Sequence, residues 1–279
     1  MPPSVAVAGS VTLAESYSFC RRIARTRAKN FYYSFLLLSR EQKDGMCAIY
    51  AFMRYCDDIS EGAGASRESI DQWRRDLDQA LSGSYPDNPL WPAFHDTVDR
   101  YRIPHRYFHE MIDGVSSDLE PRQIQTFDEL YHYCYQVASV VGLTIIHIFG
   151  FDSQEALQLA EKCGIAFQLT NILRDVREDY ENKRIYIPAD DIERFHADLT
   201  KYDENFIRLM TFEAERARKY YDESRPLIGL VHENSRRSLR ALIEIYRRLL
   251  GRIERSNFAV LDGRISLPAW QKIAILIKS

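Results

Sequence analysis

Apolar side chains recur at three- and four-residue steps along most of this chain, the period of an amphipathic helix. After a ten-residue tail (1–10), Leu13, Tyr17, Cys20 and Ile23 carry that period, so a helix should begin near Thr12 and run past Arg25. A break near Lys29-Asn30 leads into the aromatic run 31–38. Ser39 and Gln42 have capping-box spacing and should open the next helix, which the glycines of 62–66 end or interrupt. Ser66 or Ser69 should start another, through Trp73, Leu77 and Leu81, ahead of a turn-rich loop over 82–89. Helices are also expected over 90–101, stopped by Pro104, and over 105–118. Thr126 and Glu129 repeat the capping-box spacing before a long helix through Tyr131, Cys134, Val137 and Val141. Residues 140–149 are apolar on nearly every side apart from His147, so this part should be buried or line an apolar cavity. Helix then dominates to the end, interrupted at 183–188 and at Arg225-Pro226. No sheet pattern or fixed repeat is visible. The expected class is all-α, with residues 11–279 in a single domain, since apolar periodicity resumes directly after the 82–89 loop.

Two stretches depart from a simple core-and-surface pattern. Over 164–179, a helix places Asn171, Asp175 and Asp179 four residues apart, each step advancing only about 40° around the axis. Gln168 falls near the same line, and Ile165, Leu169, Ile172, Leu173 and Val176 supply apolar surface around it. Carboxylates beside apolar side chains are costly to bury unless something cationic answers them. A hard divalent ion, held by carboxylate and amide oxygens and shared with a phosphate ligand, is such an answer. An isolated Asp-x-x-x-Asp more often marks a solvated face. Here the spacing occurs twice: Asp57 and Glu61 repeat it, with Asp58 flanking and Arg54 about one turn earlier. Two acidic rows inside aromatic and aliphatic helices point to a cavity with facing metal-binding rims.

Composition narrows the alternatives. The 279 residues are 46% hydrophobic and 28% charged, ordinary for a globular protein. A net charge of -3, with arginines interleaved among acids, excludes a broad nucleic-acid surface. Five cysteines without a Cys-x-x-Cys pair fit a reducing compartment and offer no zinc spacing. The first ten residues lack the basic lead and apolar core of a secretory signal, and no apolar run is expected to reach membrane-spanning length. The expected location is cytoplasmic, with 270–277 able to touch the inner face of a membrane.

With their flanking residues, the two rows resemble the squalene and phytoene synthase family of head-to-head prenyl transferases, over roughly 15–268. The resemblance is carried by Tyr-Ala-Phe-Met-Arg-Tyr-Cys-Asp-Asp-Ile-Ser-Glu (50–61), Gln-Leu-Thr-Asn-Ile-Leu-Arg-Asp-Val-Arg-Glu-Asp (168–179) and Arg-Ile-Tyr-Ile-Pro (184–188). Supporting stretches lie at 29–35 and 133–142. The family's first motif has Asp at both ends of the four-residue step. Glu61 is one methylene longer, which leaves the metal count open.

The resemblance implies a helical bundle around a long apolar cavity, with the acidic rows at its mouth. Asp57, Asp58, Glu61, Asn171, Asp175 and Asp179 would hold magnesium ions bridging substrate diphosphates. Lys29, Arg54, Arg174 and Arg184 are implied as phosphate contacts, with structural ion pairing the alternative for each arginine, and Gln168 and Asn171 as substrate contacts. Tyr133 would assist proton removal or stabilise charge. Phe31, Phe35, Tyr50, Tyr186 and Tyr246 would shape the site or shield cations through their π faces, core packing being the commoner role of any single aromatic. The implied reaction joins two prenyl diphosphates, with two farnesyl diphosphates giving presqualene diphosphate or squalene as the first choice and two geranylgeranyl diphosphates leading to phytoene as the second. A reductive finish would require NADPH, for which no nucleotide motif is visible. A class I terpene cyclase or chain-elongating synthase is a further alternative; Asp57 to Glu61 approaches its Asp-Asp-x-x-Asp pattern, whereas 175–179 does not. A non-catalytic helical assembly factor is the third, against which both retained acidic rows argue. The oligomeric state is not readable from the sequence.

Overall fold

Several helices begin where the sequence supplies a side-chain cap. In the computed structural model, which describes residues 11–28, 31–61 and 64–279 apart from the Glu61 side chain, Thr12 caps α1 (Leu13–Arg27) in a full capping box with Glu15. The expected tail, the break at Lys29-Asn30 and the proposed roles of Lys29 and the Glu61 carboxylate lie outside the described residues. A short α2 (Phe31–Phe35) precedes α3 (Arg40–Glu61), and Ser66 with Ser69 caps α4 (Arg67–Leu81). Then come α5 (Trp91–Tyr101) and α6 (Arg106–Ser116), which passes into a 3-10 turn at Ser117–Leu119. Thr126 caps α7 (Phe127–Cys134), which continues through a π-helical segment, Tyr135–Ser139, into α8 (Val140–Phe149). The 27-residue α9 (Glu155–Glu181) is followed by α10 (Ala189–Phe195), α11 (Glu204–Glu223, capped by Asp203) and α12 (Leu227–Leu230). The series ends with α13 (Glu233–Arg255) and α14 (Ala269–Lys278).

The long α9 is the spine. Its apolar face, including Ile165, Leu169, Leu173 and Val176, is buried, and α8, α11, α13 and the π-helical segment pack against it. Gly164 allows the closest of these approaches: a Cβ there would lie 2.5 Å from Ser139 Cα, so only glycine lets α9 meet the π-helical backbone. One buried apolar cluster links residues of nearly every helix. Beside α3 it is aromatic, with Phe52 stacked on Trp73 and Phe94 and edge-on to Phe108.

Three expectations need correction. Ser39 does cap α3 by accepting the Gln42 amide at 3.2 Å, but the Gln42 side chain turns into the core, donating to Ile148 O (3.0 Å) and Ser235 Oγ (2.9 Å). Glu129 likewise accepts the Gln125 amide at 2.8 Å, so neither pair closes a full box. A sheet does exist: β1 (Arg122–Gln123) pairs in parallel with β2 (Arg184–Ile185). Two residues per strand are too few to show alternation. Finally, the continuous run Phe127–Phe149 is long and apolar enough to span a bilayer by length and composition, although 61% of its most apolar window is buried within the protein. All five cysteines are buried free thiols.

Candidate active site

The acidic helices α3 and α9 both face one cavity of about 730 Å³. From α3 it receives Tyr50, Arg54 and Asp57; from α9, Gln168, Asn171, Arg174, Asp175 and Asp179. The helical period that put the α9 side chains in one row also aims them into this space, while the neighbouring apolar residues pack into the core. Phe31, Tyr133, Arg184, Tyr186 and Tyr246 reach the same cavity from α2, α7, β2 with the chain just after it, and α13. Phe35, by contrast, is core. The polar end meets solvent: the side chains of Asp57 and Arg264 are 47% and 57% exposed. The other walls, including Val141, Ile145 and Leu242, are apolar and buried.

Asp58 stands off this rim. One residue beyond Asp57, it is turned about 100° around the helix, does not line the cavity, and pairs with Arg27 at 2.8 Å and with Arg54. Its geometry is that of an anchor for two arginines that do line the cavity, rather than the flanking ligand expected from the sequence.

Charge in the α9 row is unevenly answered. Asp175 is clasped by its neighbour Arg174 and by Arg264, whose Nε lies 3.0 Å away. Asp179 is not clasped in this way. Burial first, then the charges of Asp175 and Glu178, push its carboxyl up to about 8, with Arg184 opposing. Asn171 donates to Gln168 Oε1 at 3.3 Å, but its own Oδ1 is buried and meets no donor among the described residues. A carbonyl oxygen without a donor, in line with a carboxyl whose negative charge burial and its acidic neighbours disfavour, fits a site that a hard divalent cation would complete. Among the described residues no three acidic, histidine or cysteine side chains are grouped to hold a metal unaided. Further oxygen ligands must therefore come from elsewhere, as they would from a diphosphate. Arg54 Nε is also buried without an acceptor among the described residues, although its other nitrogens pair with Asp57 (3.6 Å) and Asp58.

A second polar cluster joins Tyr133, Tyr186 and Arg184, all named from the resemblance, to Asp118 and Arg122, which were not. Asp118 accepts the hydroxyl hydrogens of Tyr133 (3.0 Å) and Tyr186 (2.8 Å), whose rings stack with centroids 4.7 Å apart. Arg122 lies over the Tyr133 ring at 5.1 Å, and Arg184 donates to the Asp118 backbone carbonyl at 2.8 Å. Burial raises the Asp118 carboxyl above the usual range. Burial and the Asp118 charge raise Tyr133 well above an ordinary phenol, so it stays protonated at neutral pH. Arg27, Arg264 and Lys272 also line the cavity and were likewise not singled out. Elsewhere Tyr246 stacks on Phe167 at 4.3 Å and meets Phe31 edge-on at 5.7 Å, presenting aromatic surface to the cavity.

The profile of the squalene/phytoene synthase family matches residues 24–271. A phytoene synthase from Arthrospira platensis is 36% identical, the match covering 95% of this chain and 92% of that protein. A 15-cis-phytoene synthase from Synechococcus elongatus is 34% identical over 98% and 94% of the two chains. Among solved structures, a dehydrosqualene synthase in complex with ligand superposes with a TM-score of 0.90 at 29% identity, covering 95% of each chain. Squalene synthase HpnC from Alicyclobacillus acidocaldarius superposes with a TM-score of 0.82 at 28% identity, covering 90% of this chain and 97% of that one. Matched along most of its length in sequence and in fold, this chain belongs to the squalene/phytoene synthase family of enzymes that condense prenyl diphosphates head to head.

Proposed function

We propose that this enzyme is a magnesium-dependent synthase that joins two geranylgeranyl diphosphates through a cyclopropyl diphosphate to phytoene. The reaction class is carried by one observation: oxygen donors that call for a cation and a spare arginine donor share a cavity with buried apolar walls. The twenty-carbon substrate is supported by the 36% identity to phytoene synthases. The 0.90 TM-score with a dehydrosqualene synthase supports a second reading with two farnesyl diphosphates, the first choice of the sequence. Neither comparison supports a role for NADPH.

Asp57, Asn171, Asp175 and Asp179 would hold magnesium, with Glu61 continuing the first row. When bound, it supplies Lewis-acid neutralisation of the leaving diphosphate. Arg54, Arg174 and Arg264 meet the remaining charge on the phosphate oxygens. The apolar walls keep water from the allylic cation, and the faces of Tyr246 and Phe167 stabilise it. The alkene of the second substrate attacks that cation, and loss of one proton closes the cyclopropane. Tyr133 keeps its proton and directs the O–H at Asp118, so its oxygen has a lone pair to face positive charge, or to take that proton as its own passes to Asp118.

The test is incubation of the purified chain and magnesium with geranylgeranyl or farnesyl diphosphate, with and without NADPH, followed by product mass analysis. A forty-carbon hydrocarbon formed without reductant is expected. A thirty-carbon product from farnesyl diphosphate alone selects the second reading. A cyclised monomer, or a diphosphate longer by one isoprene unit, rejects both.

A further inference from the structure

The cavity has a readable depth along α9. Its lining descends that helix from Asp179 and Asp175 through Asn171, Phe167 and Gly164 to Ala160, whereas Ala156, one turn further, is packed outside it. The fifteen residues from Asp175 to Ala160 make about four turns, or about 22 Å. An isoprene unit adds four chain bonds of about 1.5 Å in zigzag, so about 5 Å of extended tail. That is close to the helix pitch of about 5.4 Å, so one turn of α9 matches one isoprene unit. Four turns match the tail of geranylgeranyl diphosphate and exceed that of farnesyl diphosphate by one turn.

Three other elements close the lower end at the level of Ala160. Helix α11 ends beside it, because Lys162 pairs with Glu223 at 2.8 Å, and Leu227 lies four residues beyond that glutamate. Helix α13 runs in the same sense as α9: Ser235 near its start donates to Phe149 O at 2.9 Å, shortly before α9 begins, and Tyr246 stacks on Phe167. Leu239 therefore falls opposite Ala160, each seven residues before its partner in that stack. From α8, Gly142 approaches so closely that a Cβ would lie 3.1 Å from the Ala160 carbonyl, and Ile146 follows one turn on. Ile146, Leu227 and Leu239 all line the cavity and are buried. Behind them Gln42 Nε2 donates to Ile148 O at 3.0 Å and to Ser235 Oγ at 2.9 Å, tying α3, α8 and α13 together. A hydrocarbon tail pushing past this junction would leave buried donors unpaired, a cost that holds the layer in place. We propose that Ala160, Leu227 and Leu239 form an end-stop that selects prenyl chain length, admitting four isoprene units along α9 and excluding a fifth. The inference rests on the proposed function, which places the diphosphate at the acidic rows and the tail below them.

Unreactive thiolodiphosphate analogues with fifteen, twenty and twenty-five carbons, titrated with magnesium into the wild type and its variants, read the stop without turnover. The wild type should bind the twenty-carbon analogue best and the twenty-five-carbon one about tenfold more weakly or worse. Ala160→Leu fills the last turn and should weaken the twenty-carbon analogue about 10- to 100-fold relative to the fifteen-carbon one. Leu239→Ala opens the same layer and should bring the twenty-five-carbon analogue to within a few-fold of the twenty-carbon one. Thermal melting checks that each variant is folded, and Leu227→Phe, which fills the layer from α12, repeats the test where Ala160→Leu is not. Unchanged ratios in the folded filling variant, or equal wild-type binding of the twenty- and twenty-five-carbon analogues, overturn the stop even where the product is a forty-carbon hydrocarbon. Product analysis judges the proposed function separately: a thirty-carbon product together with the shifted ratios corrects the substrate and keeps the stop.

Discussion

Asp118 holds two phenols at once, and each hydroxyl depends on it for an acceptor. Asp118→Asn keeps the shape but removes the negative charge and turns a donor toward one tyrosine. Losing one charged hydrogen bond of this kind costs ~1–3 kcal/mol, so kcat should fall roughly 10- to 100-fold. KM for the prenyl diphosphate should change little, because the two phenols mediate the effect. Its carboxyl is raised by burial, so the wild-type rate should decline on the acidic side as Asp118 takes a proton, and the variant should lack that limb. Tyr133→Phe should produce a similar loss, and the double variant should be far from additive. Unchanged steady-state kinetics and an unchanged pH profile in Asp118→Asn would remove Asp118 from the machinery. The acidic rows were visible in the sequence because the helical period writes them at fixed spacing. Tyr133 and Tyr186 were named from their motifs, but Asp118 meets them from a separate element only in the fold, so no local spacing announces it. Arg264 was hidden for the same reason: its partner Asp175 lies 89 residues earlier in the chain.

At the scale of elements, the contact between α9 and the π-helical segment sets where the α9 row points. Ser139 Oγ donates to Glu161 O at 2.8 Å across it, and Gly164 supplies the clearance. A Cβ at position 164 would meet three backbone atoms of residues 138 and 139 within 2.9 Å, none of which can rotate away. Gly164→Ala should therefore force the two elements apart, at a cost of ~1–3 kcal/mol typical of overpacking. Urea denaturation should show a lowered midpoint with an unchanged slope, and turnover should drop because Gln168 and Asn171 lie only four and seven residues further along the displaced helix. A midpoint within error of the wild type would show that the contact is softer than its geometry states. The helices themselves were legible because a buried face repeats with the helical period, and Thr12, Ser66 and Thr126 mark their starts. The π-helical turn was not, since Val137 to Val141 is apolar enough to satisfy either winding. The Gln42 side chain was misread for a related reason: capping-box spacing records sequence distance, and a core carbonyl at Ile148 competed better for its amide.

For the molecule as a whole, the cavity is arranged so that metal and diphosphate need each other. Asp175 is already paired with two arginines, and Asp179 is protonated below about 8. A cation arriving alone must displace those arginines and a proton without enough described ligands to complete its shell. A diphosphate arriving with it offers the arginines an alternative acceptor and gives the cation further oxygens. Magnesium alone should therefore raise Tm little, inorganic diphosphate alone should do likewise, and the two together at about 100 times the dissociation constant should add about 2.7 kcal/mol, or about 5–10 °C at this chain length. Chelation should reverse the shift. The sign with pH follows from Asp179. Its folded value lies above its unfolded one, so its contribution in the metal-free protein is fully present below about 4 and is lost as pH rises through about 8. Asp179→Asn removes that loss, so the metal-free variant should melt higher than the wild type at pH above about 8, yet show almost no joint response to magnesium and diphosphate and almost no turnover. A variant that keeps the joint response would detach Asp179 from the metal, and one that melts lower at high pH would mean that its carboxylate is answered in the resting protein by a charge outside the described residues.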